Sequence, residues 1–178
     1  MEPYHFDPFR QRLARDIRNS LSRSFINALI EKEASLFQRC GAYYLQQNMP
    51  PVYARYITTR LARYEKAYAI IQQRSPMEVL QQAAIFWDLG LYFEMHELLE
   101  PVWKNAEGGR RRALQGLIRA AGMKIHAEAN NMKAAVSIGT KAMADLMQYG
   151  GELAGLVKLE IILAEIRHTI RTSETPPT

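Results

Sequence analysis

Apolar residues recur every three or four positions along most of the chain, and this spacing constrains the fold more than any other feature. Strand-like alternation is nearly absent, and proline, glycine and Asp/Asn turn signals interrupt the helical pattern. No period of 20–50 residues repeats as it would in a solenoid. The sequence therefore predicts an all-α protein, a compact helical bundle of about seven or eight helices. Helices are expected at about 8–30, up to Asn48, 52–73, up to Asp88, 91–105, 110–128, 134–147 and 153–170.

The length and composition favour one folded domain. The 178 residues are 48% hydrophobic and 23% charged, which is typical of a globular protein, so 1–178 is interpreted as a single domain with a disordered tail at 172–178. The helix at 153–170 is apolar around most of its circumference and is predicted to be central. Cys40 has no intrachain partner, and neither a signal peptide nor an apolar run of about 20 residues is present. A cytoplasmic protein without a membrane segment is expected.

Positive charge is concentrated in the N-terminal part of the chain. Residues 1–74 carry 12 Lys+Arg against 6 Asp+Glu, whereas residues 75–178 carry 11 against 12. Residues 1–48 are interpreted as a basic helical arm, which would meet RNA or an acidic protein, or would cross to a second copy in a homo-oligomer. Nucleic acid is the less favoured partner, because the tyrosines of the 52–73 helix lie opposite its basic side. That basic side consists of Arg55, Thr59, Arg63 and Lys66.

The helix at about 91–105 carries the first of two polar stripes. His96 and Glu100 are four residues apart, so both side chains lie on one face and reach a common point. Phe93 and Trp103 extend that face and are predicted to line a ligand pocket. A short Glu107-Gly108-Gly109 connection then leads to the helix at 110–128, so the two helices are expected to form an antiparallel hairpin.

The helix at 110–128 carries the second stripe, by steps of four, three and four residues. Its members are Gln115, Arg119, Gly122 and His126. Gln115 and Gly122 are predicted to complete the pocket, with Gly122 leaving space between its neighbours. If the stripes face one another, they form one polar cluster between the helices.

Three interpretations of this cluster remain open. His96, Glu100 and His126 would supply two imidazoles and a carboxylate to zinc or iron, with Glu97 as a base. Alternatively, His96 held by Glu100 would transfer a proton while Arg119 binds an anionic group of a small substrate. In the third interpretation Glu100 pairs with Arg119, and the cluster only fixes the register of the helices.

Two neighbouring segments carry a recognisable pattern: Asp88-Leu89-Gly90-Leu91-Tyr92-Phe93-Glu94-Met95-His96-Glu97-Leu98-Leu99-Glu100-Pro101-Val102-Trp103, and then Leu114-Gln115-Gly116-Leu117-Ile118. Together they resemble the domain of unknown function 309 family. The resemblance covers about 84–147 and implies a small all-helical fold found in prokaryotic proteins, with no established reaction. Its HExxE order differs from the HExxH helix of zinc proteases. Arg119 stands where the family pattern has a second glutamine, which favours a Glu100–Arg119 pair, and Ala134-Ala135 replaces glycine-alanine.

The sequence thus favours a helical protein whose His/Glu pocket binds a metal or small ligand, with hydrolase-like activity. Its catalytic residues would be His96, Glu97, Glu100 and Arg119. The alternative is a non-catalytic interaction module that uses the basic N-terminal surface, in which the His/Glu cluster is structural. Whether the protein is an enzyme is not decided by these patterns.

Overall fold

The computed structural model describes residues 5–75, 77–155 and 157–174, and within them the chain is all-α. The predicted fold class is therefore confirmed. Eight α-helices and one 3-10 helix are present in this part of the chain. The helices are α1 (Arg12–Glu31), α2 (Ser35–Leu45), α3 (Pro51–Gln73), α4 (Val79–Asp88), α5 (Tyr92–Lys104), α6 (Gly108–Glu128), α7 (Met132–Tyr149), the 3-10 helix (Gly150–Leu153) and α8 (Leu159–Glu174).

The chain divides into two compact units. The first unit comprises Met1–Met77 together with Leu89–Leu91, and the second comprises Glu78–Asp88 and Tyr92–Thr178. The second unit therefore holds α4 to α8, while the three residues that join α4 to α5 cluster with the first. Folding of 1–178 as one cooperative domain stays a prediction.

The first unit is built around an aromatic core. Phe25 of α1 stacks on Tyr64 of α3 with ring centroids 4.2 Å apart, and Phe37 of α2 meets both rings edge-on at 5.8 and 5.7 Å. All three side chains are fully buried. Edge-to-face and offset contacts of this kind are favourable beyond simple area burial, so this cluster holds α1, α2 and α3 together.

The N-terminal boundaries of the first unit differ from the expected ones. The helix begins at Arg12 rather than at residue 8, because the Asp7 carboxylate accepts hydrogen bonds from the amides of Phe9 and Arg10 and holds a separate turn there. Lys32 adopts a left-handed conformation (φ 57°), which ends α1 and makes α2 a separate helix.

A buried arginine is the main polar feature of the first unit. Arg60 is 5% exposed and donates to the Gly90 carbonyl (3.0 Å) and to the Tyr56 hydroxyl (3.1 Å). Arg63 donates to the same carbonyl at 3.0 Å. Gly90 has φ +67°, so a left-handed turn that glycine adopts without strain aims this carbonyl at both guanidinium groups.

In the second unit, α6 packs against both α5 and α7. Only three residues separate α5 from α6, and the packed pair is the predicted hairpin. Contact between α6 and α7 is close because Gly116 and Gly139 carry no side chain. A Cβ on Gly116 would lie 2.8 Å from Leu146 Cγ, and one on Gly139 would lie 2.8 Å from Met123 Sδ.

The C-terminal part of the second unit departs from the expectation of a central helix at 153–170. After the 3-10 helix, Gly155 adopts φ +79°, and α8 begins only at Leu159. Its buried side is formed by Ile162, Leu163 and Ile166, while Ile161 is 45% exposed. Thus α8 is a surface helix with one apolar face. The predicted disordered tail starts at a residue that lies within α8, and 175–178 are outside the described residues.

Among the described helices, none combines the length and the apolar character needed to cross a membrane.

Candidate functional site

The strongest candidate site is a cluster of three side chains on α5, which we call the α5 cluster: His96, Glu97 and Glu100. Each offers one potential ligand atom, and these atoms all lie within 4.8 Å of one another. His96 and Glu100 share a helix face by their four-residue spacing, and Glu97 approaches from the adjacent position. Residues adjacent in a helix do not share a face, so Glu97 is not expected beside the His96 ring. Instead its Oε1 lies 3.4 Å from His96 Nδ1.

The His96 ring is held with one nitrogen away from solvent. The side chain as a whole is 34% exposed, yet Nδ1 is buried and has no hydrogen-bond partner among the described residues. The Glu97 carboxylate is close enough for an ion pair but is not aligned for a hydrogen bond. An unsatisfied buried polar atom costs about 1–3 kcal/mol, so Nδ1 is a position at which a ligand would be stabilising.

Glu100 is engaged by a neighbouring lysine. Lys104 Nζ lies 3.0 Å from Glu100 Oε1, an i,i+4 ion pair between two side chains that are more than a third exposed. Such exposed pairs contribute about 0.3–0.5 kcal/mol. The pair therefore neutralises Glu100 without holding it firmly.

The predicted pocket residues on α5 flank this cluster. Trp103 lies three residues after Glu100 on the same face and is half-buried. The guanidinium of Arg111, from the first turns of α6, lies 4.6 Å from the centroid of the Trp103 ring. Phe93 is half-buried one turn before His96.

Two members of the second predicted stripe, Arg119 and Gly122, contact α7. Arg119 forms an ion pair with Asp145 of α7, whose other oxygen lies 2.8 Å from Arg112 Nη2. A Cβ on Gly122 would meet Ile138 of α7 at 3.8 Å. The predicted Glu100–Arg119 pair is therefore wrong: Glu100 pairs with Lys104 of its own helix and Arg119 with Asp145. Gln115, the stripe's remaining pocket member, is half-buried.

His126 lies apart from the α5 cluster, at the turn between α6 and α7. Its Nδ1 is 3.4 Å from the side-chain amide nitrogen of Asn131, the residue that caps α7. Partial burial, which disfavours the charged imidazolium, lowers the pKa of His126 below 6.5. His126 is not part of the group that contains His96 and Glu100, whose third member is Glu97, and whether these groups bind a metal ion stays a prediction.

Two buried acids near this region escaped the sequence analysis. The Asp145 side chain is 3% exposed, and Glu94 in the first turn of α5 is fully buried. The position of Asp145 was a usable signal, because it follows Ala135, Gly139 and Ala142 on the apolar side of α7. An acid on a buried face requires a cationic partner, and Arg119 was the available one.

The basic side predicted for α3 is smaller than expected. Arg55, Thr59 and Lys66 are exposed, but Arg63 is half-buried and bonded to the Gly90 carbonyl. The carbonyl thus removes one of the three cations from that surface. Binding of RNA or an acidic protein there stays a prediction.

A comparison with known families bears on the segment that carries the α5 cluster. No curated protein and no solved structure gives a significant match to the chain. Residues 80–138, from α4 into α7, match the family model described as domain of unknown function (DUF309). The resemblance expected from the HExxE helix and the following Leu-Gln-Gly is therefore confirmed over this segment, and the matching family model has no assigned activity.

Proposed function

We propose that the α5 cluster binds a divalent metal ion through His96, Glu97 and Glu100. The observation that carries this proposal is their convergence, since one ligand atom from each lies within 4.8 Å of the other two. The buried Nδ1 of His96, which has no hydrogen-bond partner among the described residues, also supports it, because a metal ion would use the lone pair of that nitrogen.

The donor set favours zinc or ferrous iron. Imidazole suits both ions, and the two carboxylates complete a set of three protein ligands. Three ligands leave coordination positions open, which is the pattern of catalytic rather than structural sites. The half-exposed position of His96 and Glu100 leaves that side of the cluster accessible to solvent.

The Lys104–Glu100 ion pair is a minor obstacle to metal binding. It contributes about 0.3–0.5 kcal/mol, whereas a micromolar dissociation constant corresponds to about 8 kcal/mol. Lys104 would be released when Glu100 turns to the ion, and its charge would stay within one helical turn of the cluster.

Hydrolase-like activity is the chemistry that such a centre would support. A bound divalent ion supplies Lewis acidity and lowers the pKa of a coordinated water towards neutrality. The residues of this chain would hold the ion on one side and leave the other side to the substrate. Glu97 would bind the ion through one carboxylate oxygen, and its second oxygen would serve as the base for that water.

Isothermal titration of zinc into chelator-treated protein without a histidine tag tests the proposal. We expect one site in the wild type and at least a tenfold weaker affinity for His96→Ala, because the variant loses the only imidazole of the set. His168→Ala is the matched control, since His168 is an exposed histidine of α8 and outside the α5 cluster. Equal zinc affinity in wild type and His96→Ala would refute the proposal.

A further inference from the structure

We infer that the metal-loaded α5 cluster takes a phosphate ester as its substrate, and that Arg111, placed on Trp103, binds the phosphate. This inference rests on the proposed metal site. It starts from what lies beside that site on the same face of α5. Trp103 follows Glu100 by three residues, which puts their Cβ atoms about 5–6 Å apart.

Arg111 is positioned but not neutralised. Its guanidinium carbon lies 4.6 Å from the Trp103 ring centroid, and its Nη1 makes long contacts with the carbonyls of Lys104 (3.5 Å) and Ala106 (3.4 Å) at the end of α5. No acidic side chain pairs with it within the described ranges. Its remaining N–H groups are therefore available to an incoming acceptor, and an arginine fork matches two phosphate oxygens.

The charges of the loaded site favour a dianion. Two carboxylates of the α5 cluster would balance a divalent ion. The positive charges left beside them would be those of Arg111 and of Lys104, once Glu100 turns from Lys104 to the ion. A phosphate monoester carries close to two negative charges at neutral pH. One of its oxygens would occupy an open metal position, and the others would accept hydrogen bonds from the two cations.

Trp103 adds an apolar surface to the site, which inorganic phosphate would not use. The ring is half-buried beside Arg111, so part of its apolar surface stays exposed, on the helix face that Trp103 shares with Glu100. An ester with an apolar or aromatic organic part would cover that surface, whereas inorganic phosphate would not. The chemical class is therefore a phosphate monoester of a hydrophobic alcohol or phenol.

The test uses phenyl phosphate as the probe, titrated into zinc-loaded full-length protein. We expect binding to the wild type and affinity about tenfold weaker for Arg111→Gln, because one charged hydrogen-bonding group is lost. Zinc affinity, measured in parallel, should be the same in both proteins. Arg110→Gln is the matched control. Arg110 is exposed and its Nη1 lies 3.5 Å from the Glu152 carbonyl oxygen, so we expect affinity within twofold of wild type.

The outcomes separate this inference from the proposed function. Two results would overturn the inference and leave the metal site standing, provided that zinc binding is normal. One is that phenyl phosphate does not bind, and the other is that Arg111→Gln and Arg110→Gln have the same affinity for phenyl phosphate. Equal phenyl phosphate affinity with and without zinc would also overturn it, since the phosphate would not meet the metal. Absence of zinc binding would refute both.

Discussion

Asp145 of α7 determines which partner two arginines of α6 bind. Its carboxylate is almost completely buried on α7 and is bound by Arg119 and Arg112 of α6. Removing a buried carboxylate from water is costly unless cations and hydrogen bonds compensate for it. Arg119, at 32% exposure, is committed to that compensation, which explains why it is not at the α5 cluster.

Replacement of this carboxylate should cost stability. We expect Asp145→Asn to lower the free energy of unfolding by about 2 kcal/mol, because the amide loses the charge that two arginines bind. Urea denaturation followed by circular dichroism measures this. The control is Arg112→Gln, whose side chain is 56% exposed, with an expected loss below about 1 kcal/mol. Equal losses in the two variants would show that burial of Asp145 is not what matters.

His96 and Glu100 could be assigned to one face of one helix from sequence, because their spacing is a local property. Partners on other helices could not be assigned in the same way. The direction of Arg119 depends on the rotation of α6 between α5 and α7, and close contacts at Gly116 and Gly139, made only after folding, fix that rotation. The approach of Glu97 to His96 is not predictable from spacing either, since it depends on the conformation of a flexible side chain.

At the scale of elements, the contact of α6 with α7 organises the second unit. Gly116 lets the α6 backbone approach Leu146 and Asp145 closely. A Cβ added at this position would lie 2.8 Å from Leu146 Cγ and 3.1 Å from Asp145 Cβ. Gly122 lies six residues further along, and a Cβ there would meet Ile138 at 3.8 Å, an ordinary van der Waals distance. The glycine of the Leu-Gln-Gly motif is therefore a packing residue, and Gly122 is not.

The two glycines should respond to alanine in opposite directions. Gly116→Ala is expected to lower the free energy of unfolding by about 1–3 kcal/mol, because the added methyl overpacks the interface. Gly122→Ala should raise it by about 0.5–1 kcal/mol through better helix propensity. Thermal or urea unfolding of both variants compares them directly. Destabilisation by Gly122→Ala would mean that α6 and α7 lie closer at this position than the 3.8 Å distance to Ile138 allows for.

Helix boundaries can be predicted from sequence where a local residue, such as a proline or a capping side chain, marks them. Pro51 at the start of α3 and Asn131 as the cap of α7 are local signals, and the expected helices begin within two residues of the observed ones. The start of α8 was missed by six residues, since the apolar pattern continues from Leu153 while the left-handed Gly155 interrupts the helix. Apolar periodicity reports burial, and it does not by itself exclude a turn.

At the scale of the whole molecule, the sequence suggested one domain and the contacts define two units. The units alternate along the chain, because Leu89–Leu91 cluster with the first unit although α4 and α5 on either side belong to the second. Arg60 and Arg63 of α3 hold the Gly90 carbonyl in this segment. Unfolding of the first unit would therefore release the link between α4 and α5, which favours cooperative unfolding.

Intrinsic probes allow that cooperativity to be measured. Both tryptophans, Trp87 and Trp103, lie in the second unit, whereas far-ultraviolet circular dichroism reports helices of both units. We expect the tryptophan fluorescence and circular dichroism transitions in urea to coincide, as they do when unfolding is two-state. A circular dichroism transition that begins clearly before the fluorescence change would show that the first unit unfolds independently.

The α5 cluster is most directly tested by nitrogen-15 spectroscopy of the histidine rings during a zinc titration. The chain has four histidines, at positions 5, 96, 126 and 168, so the bound nitrogen can be identified after assignment with His96→Gln. We predict that Nδ1 of His96 alone shifts and that the change saturates at one equivalent of zinc. A response centred on His126 or another histidine, or no saturable response at His96, would contradict the metal site proposed for α5.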